Sequence, residues 1–179
     1  GATKPANITG DNVDVTVESG STITSNKVSV FADNTSDLTI TNSGTISATG
    51  TNSIDVKGTT DATIVNNSGG TISSARNTIR TSPTGSNNTT GLTITNSGTI
   101  EATGSGSAIF SSGANSTATI TNKAGGQITN SDSSNATIRV GTSSTIVNSG
   151  TIKNTNSVDD DAIKLYGNNA TITLKDGGI

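Results

Sequence analysis

The stretch LTITNSGTI occurs twice in this chain, at residues 38–46 and again at residues 92–100. Apolar residues alternate with threonine in its first half, and period-two alternation is typical of a β-strand with one buried face. A recurrence of this kind arises either from a repeated ligand site or from a structural unit that is stacked many times. Related copies elsewhere in the chain favour the stacked unit.

Related copies follow one another along the chain at intervals of 23, 24, 30, 26, 26 and 26 residues. These intervals are counted between anchors, where the anchor is the second apolar residue of the motif. The anchors are Val17, Ile40, Ile64, Ile94, Ile120, Ile146 and Ile172. Threonine precedes the anchor in every copy, so we predict that the anchors point inward and the threonines outward.

Two further short strands follow the anchor strand in most copies. The second strands come after a glycine-containing bend and are centred on Ile23, Ile46, Ile72, Ile100, Ile128 and Ile152. The third strands are VSV 28–30, IDV 54–56, TIR 78–80, AIF 108–110, IRV 138–140 and IKL 163–165. One turn of three such strands cannot bury its own apolar face, whereas stacked turns can. The sequence therefore predicts an all-β fold, a right-handed parallel β-helix (β-solenoid) of about seven coils with three short strands each. The coils are expected over residues 15–179, after an N-terminal lead-in or cap at residues 1–14.

An asparagine recurs two residues after the anchor in five copies. It is found at Asn42, Asn66, Asn96, Asn122 and Asn148. Stacked asparagine side chains can form hydrogen bonds along the axis, and asparagine also tolerates the left-handed backbone of a bend. We therefore predict an asparagine ladder at this corner. Differences in coil length are expected in the bends, including the TSPTGSNNTTG insertion at residues 81–91.

The composition agrees with strands and excludes several kinds of site. The chain has 28% apolar and 13% charged residues, a net charge of −3, and 19 Ile and 10 Val against four Leu. Residues that are β-branched favour strands. There is no Cys or His, so no disulfide, no Cys/His metal site and no imidazole is available, and no apolar run is long enough to span a membrane. We predict no cofactor. Because the chain begins at Gly1 without Met and stops inside a motif, we expect it to be mature material from a longer protein.

The variants TITNSGTI, TITNKAGGQI and TIVNSGTI, with their spacing, resemble the passenger repeats of bacterial autotransporters, which are secreted by the type V pathway and displayed at the surface. The resemblance covers residues 15–179, although two-partner-secreted adhesins and phage spikes use similar coils. It implies export across the outer membrane and display at the cell surface as an adhesin, an aggregation factor or a stalk. The implied partners are glycans or proteins of host or neighbouring cells, or other copies of the protein, and the implied membrane anchor lies outside this chain.

Candidate binding residues lie in the predicted outward column of the third strands. This column is expected to contain Ser29, Asp55, Arg80, Phe110, Arg139 and Lys164. Its basic members and Phe110 could engage an anionic surface glycan or another partner, although a solvated charged face explains the same residues equally well. The negative net charge and the lack of a stacking platform disfavour nucleic acid as a partner.

The sequence also allows two alternative functions, ice binding and polysaccharide cleavage. Paired threonines such as Thr39 and Thr41 or Thr93 and Thr95 resemble the flat faces of ice-binding solenoids, but the array is interrupted at Glu18, Val65 and Val147. Some parallel β-helices cleave polysaccharides with paired carboxylates. The acidic run here is residues 159–161; a solvated loop explains it better than a catalytic or Ca²⁺ site does. We therefore predict no enzyme activity, no catalytic residue and no metal site.

Overall fold

The β-branched repeats form short strands along the whole of the described chain. A computed structural model describes residues 5–82, 89–111, 116–156 and 161–178, and within these ranges it contains twenty strands and no helix. In chain order the strands are β1 (Ala6–Ile8), β2 (Asp14–Val17), β3 (Thr22–Ser25), β4 (Val30–Asp33), β5 (Thr39–Asn42), β6 (Thr45–Ala48), β7 (Ile54–Lys57), β8 (Thr63–Asn66), β9 (Thr71–Ser74), β10 (Ile79–Ser82), β11 (Leu92–Asn96), β12 (Thr99–Ala102), β13 (Ile109–Ser111), β14 (Ala118–Asn122), β15 (Gln127–Asn130), β16 (Ile138–Val140), β17 (Thr145–Asn148), β18 (Thr151–Asn154), β19 (Ile163–Leu165) and β20 (Thr171–Leu174).

Every third strand belongs to the same sheet, and neighbouring strands within each sheet are parallel. The anchor sheet has the order β2-β5-β8-β11-β14-β17-β20, the second sheet β3-β6-β9-β12-β15-β18, and the third sheet β1-β4-β7-β10-β13-β16-β19. A parallel ladder between successive turns is the arrangement that buries the apolar face of a thin repeat. The predicted parallel β-helix is confirmed. Strand β1 already belongs to the third sheet, because Ala6 pairs with Val30.

The core is built from columns of isoleucine that run along the axis. The anchors Ile40, Ile64, Ile94, Ile120 and Ile146 are fully buried and aligned in register. The second and third sheets contribute equivalent columns, and the isoleucines of the middle coils in these sheets are also fully buried. The prediction that these residues point inward is therefore confirmed.

The first anchor was predicted wrongly. Val15, not Val17, pairs with Ile40, and Val17 pairs with Asn42. Both valines alternate with polar neighbours, so a shift of two residues leaves the same side chains inward and the local pattern cannot detect it. The shift makes the first bend longer, and its turn is closed by a hydrogen bond from Ser21 N to Glu18 O of 3.0 Å.

The asparagine ladder is present, but its backbone geometry differs from the prediction. The first four ladder amides each donate from Nδ2 to the asparagine Oδ1 of the next coil, at 2.8 Å from Asn42, 2.9 Å from Asn66, 2.8 Å from Asn96 and 2.9 Å from Asn122. These residues end strands and do not have positive φ. Residues with positive φ recur instead at the corner before the anchor strand, at Asn12, Asp37, Asp61, Gly91, Ser143 and Asn169.

Long and short bends alternate along the corner that follows the anchor strand. In the long bend of β8 and β9, Gly70 N donates to Asn67 O, and Gly69 has φ +81°, which suits the third residue of a type II turn. The next bend is short, and a Cβ on its Gly98 would lie 2.2 Å from Gly70 O. The short bend thus requires glycine because it packs directly on the long one. Of the predicted insertion at residues 81–91, positions 83–88 lie outside the described residues.

Candidate functional site

The outward column of the third sheet collects most of the predicted binding residues. From β1 to β19 it contains Asn7, Phe31, Asp55, Arg80, Phe110, Arg139 and Lys164. Ser29 was wrongly assigned to it. Ser29 is fully buried at the preceding corner, where its hydroxyl donates to the Ser47 carbonyl, and Phe31 occupies the outward position instead.

The three cations of this column do not form an unbroken stripe. Phe110 separates Arg80 from Arg139, whereas Arg139 and Lys164 are direct neighbours on adjacent strands. Arg80 Nη1 lies 3.6 Å from Asp55 Oδ2, which also accepts a hydrogen bond from Asn52 Nδ2 at 3.1 Å. The nearby carboxylate therefore offsets part of the Arg80 charge, and Arg139 is left as the central cation of the face.

Arg139 is held by neighbours on both adjacent coils. Its guanidinium carbon lies 4.8 Å from the centroid of the Phe110 ring and 5.3 Å from that of Tyr166. Nε and Nη2 donate to the Tyr166 hydroxyl at 3.2 and 2.9 Å, and Nη1 donates to Asn135 Oδ1 at 2.5 Å. Two rings and two hydrogen-bond acceptors thus fix the orientation of the guanidinium. Lys164 Nζ lies 5.7 Å from the Tyr166 ring.

Asp132 supports this arrangement from the corner between the second and third sheets. Burial alone would raise the pKa of Asp132, but hydrogen bonds from the Asn135 side chain and from the Gly106 and Ser134 amides, with the charge of Arg139, lower that pKa below its ordinary value. The carboxylate accepts from Asn135 Nδ2 at 2.5 Å and from Gly106 N at 2.6 Å. It therefore holds Asn135 in position against Arg139.

A groove of about 490 Å³ runs along this side of the solenoid. We call it the arginine groove. Arg80, Phe110 and Arg139 form its floor, and Arg76, Asn77 and Asn135 are among the corner residues that form its wall. Strand alternation did not predict a role for Arg76, because Arg76 lies in a bend and not in a strand column. Its position four residues before Arg80 in the same coil was the available signal.

The anchor sheet presents a different surface, with two outward columns of threonine. One column contains Asp14, Thr39, Thr63, Thr93, Thr119, Thr145 and Thr171, and the other Thr16, Thr41, Val65, Thr95, Thr121, Val147 and Thr173. Glu18 was predicted to interrupt the array, but the corrected register places it in the bend after β2. In the part of the chain that the structure describes, the hydroxyls of these columns form no hydrogen bond to another residue.

The acidic run at residues 159–161 is only partly described. Residues 159 and 160 of the acidic run lie outside the described residues, and Asp161 is exposed. Across the described ranges, no three acidic side chains come together as possible metal ligands. The same ranges contain no helix that is long and apolar enough to cross a membrane.

No protein-family profile matches the chain, and searches of curated proteins and of solved structures also found no match.

Proposed function

We propose that this chain is a non-enzymatic structural and adhesive segment of a secreted protein displayed on a bacterial surface. The observation that carries the proposal is the third-sheet column, in which Arg139 and Lys164 are presented from a rigid ladder. The resemblance of the repeats to autotransporter passengers supports surface display. A rod of stacked coils repeats its outward positions about every 4.8 Å, so weak contacts along it add through effective concentration.

The proposed partners are anionic glycans or proteins on host or neighbouring cells, or other copies of the protein. Exposed cations attract such partners over about 8 Å at physiological ionic strength, so we expect the binding to weaken as salt is added. The acidic residues nearest this face have structural contacts. Asp55 accepts from Asn52 and lies beside Arg80, and Asp132 holds Asn135. These contacts support a binding role over carboxylate catalysis.

The test is adhesion of beads coated with the chain to cells and to immobilised anionic glycans. The test variant replaces Arg80, Arg139 and Lys164 with serine. The control replaces Lys123, Lys153 and Lys175, which are exposed and lie outside the third sheet, so that it removes the same charge. We expect the test variant to lose most adhesion and the control to keep it. Equal adhesion by parent and test variant contradicts binding through this column, and no adhesion by the parent means that the segment is a stalk.

A second candidate function, ice binding, is favoured by one observation. The two threonine columns run in register through all seven anchor strands, with valine at two positions and Asp14 at one. Thermal hysteresis of the parent tests this directly. Replacing Thr95 and Thr121 with lysine should abolish the hysteresis, and the serine variant of the basic column should keep it. No hysteresis from the parent eliminates this candidate.

A further inference from the structure

We propose that the arginine groove binds the carboxylate of an acidic sugar, a uronic acid unit within a surface polysaccharide. The site deepens the proposed function by naming a ligand class for the same face, and it rests on that function for its biological role. Arg139 provides the central contact, Arg76 a second cation, and the corner amides contact the sugar hydroxyls.

The unused donors of Arg139 define the central contact. A guanidinium has five N–H donors. Three are used, by Nε and Nη2 to the Tyr166 hydroxyl and by Nη1 to Asn135. One donor remains on each terminal nitrogen, and a pair of this kind matches the two oxygens of a carboxylate.

The guanidinium is already ordered before any ligand arrives. Phe110 and Tyr166 lie against it at 4.8 and 5.3 Å, and Asp132 holds the Asn135 amide that accepts from it. Ordering a long, flexible side chain at an interface has a cost that lowers the affinity of the complex. The preorganisation of Arg139 removes much of that cost from binding.

The charges around the groove favour an anion, although the chain as a whole is acidic. Arg76 is exposed, and no hydrogen bond or ion pair joins its side chain to another described residue. The Arg80 side chain keeps 40% of its surface exposed beside Asp55, whose own side chain is only 11% exposed. The cations therefore face the solvent side of the groove, and the neutralising carboxylate lies beneath them.

The remaining lining suits a sugar better than a base or an apolar peptide. Asn77 uses its Oδ1 to accept from Ser107 N at 2.9 Å, which leaves its amide hydrogens for a ligand hydroxyl, and Ser105 adds an exposed hydroxyl. Phe110 is the one aromatic residue of the groove lining, and Arg139 covers its ring, so there is no free stacking platform for a nucleobase. The lining residues come from four successive coils, so the groove extends along the axis and could hold several units of a polymer.

The test uses the full chain and oligogalacturonate as the probe, with affinity measured calorimetrically at low ionic strength. Carboxyl-reduced oligogalacturonate is the matched probe without the charge. We expect Arg76→Gln and Arg139→Gln each to weaken binding about tenfold or more, because each removes hydrogen bonds or charge contacts to an ionised group. The control Lys123→Gln removes the same charge from the exposed bend after β14, outside the groove lining, and should change the affinity less than about twofold.

Arg76→Gln keeps the test informative if Arg139→Gln destabilises the coil, because the Arg76 side chain has no hydrogen-bond or ion-pair partner among the described residues. The inference is overturned if the parent binds neither probe, if it binds both equally, or if the groove variants and Lys123→Gln weaken binding to the same extent. Cell adhesion separates the two proposals. If Arg76→Gln and Arg139→Gln leave adhesion unchanged, the groove ligand is contradicted and the adhesive function is retained. If the parent binds oligogalacturonate but adheres to no cell, the groove site is supported and the adhesive function is contradicted.

Discussion

The middle coils and the last coil carry the same anchor motif but bury it to different extents. Ile94 in β11 is fully buried, whereas Ile172 in β20, in the same column, is 41% exposed. The middle strand has a neighbour on each side, while among the described strands β20 pairs only with β17. The difference shows that the motif supplies the side chain and the stacked neighbours supply the burial.

The asparagine ladder shows the same contrast. Asn96 is fully buried and bonded to the amides of both adjacent coils. At the last coil the column holds Leu174, which is 65% exposed, and at the first coil it holds Val17. At the two ends the neighbouring bend supplies contacts, since Gly44 N donates to Asn42 Oδ1 and Asn148 Nδ2 donates to Gly150 O.

The largest expected effect is at the centre of the core. Ile94→Ala should lower the free energy of unfolding by about 2–5 kcal/mol, because it removes a buried side chain and leaves a cavity between two coils. Urea unfolding with an unchanged m value measures this loss. A loss below 1 kcal/mol would show that the middle coils are not tightly packed around the anchor column.

The next effect is at the ladder. Asn96→Ala should cost roughly 1–3 kcal/mol, since Asn66 Nδ2 loses one acceptor and Asn122 Oδ1 loses its donor in a buried column. Leu174→Ala changes the same column at its exposed end and should cost clearly less. Equal losses for the two variants would contradict the role of burial in the ladder.

A smaller effect is expected where the anchor column is open. Ile172→Ala should cost about 1 kcal/mol, because a side chain that is 41% exposed loses less burial and leaves no enclosed cavity. Its ratio to the loss for Ile94→Ala, from the same urea experiments, measures how much burial the second neighbour adds. A ratio near one would remove the distinction between the middle and last coils.

The smallest effect is expected on the outward face. Thr93→Ala should cost well under about 1 kcal/mol, because surface substitutions without a special contact change stability little. Thr93 lies next to the buried anchor, so it is the matched control for Ile94→Ala. Similar losses for the two substitutions would mean that the inward and outward faces have been exchanged.

Local patterns in the sequence predicted the strands, the buried columns and the ladder because these depend on alternation and on repeat spacing. They did not predict the register of the first coil. A shift of one residue exchanges the faces and is detectable, but a shift of two leaves Val15 and Val17 equally suitable. Hydrogen bonds to the next coil decide between them, and those contacts are not local in sequence.

The candidate binding face was predicted only in part, because some of its contacts are also not local in sequence. Strand alternation placed Arg80, Phe110 and Arg139 in one outward column, as the structure also has them. Arg76 lines the groove because of the way its bend folds against the sheet, and the orientation of the Arg139 guanidinium depends on Tyr166 from the next coil. Neither contact follows from a periodic pattern.

In-register stacking of the coils is tested most directly by paired cysteines, because the chain has no cysteine of its own. Thr93 and Thr119 are register partners on outward positions of β11 and β14. With cysteine at both positions, the Cα atoms are about 4.8 Å apart, within disulfide range, so oxidation should form the bond efficiently. Cysteines at Thr93 and Thr121 are offset by two residues, about 8 Å, and should stay reduced. Efficient crosslinking of the offset pair, with none for the register pair, would contradict the stacked solenoid described above.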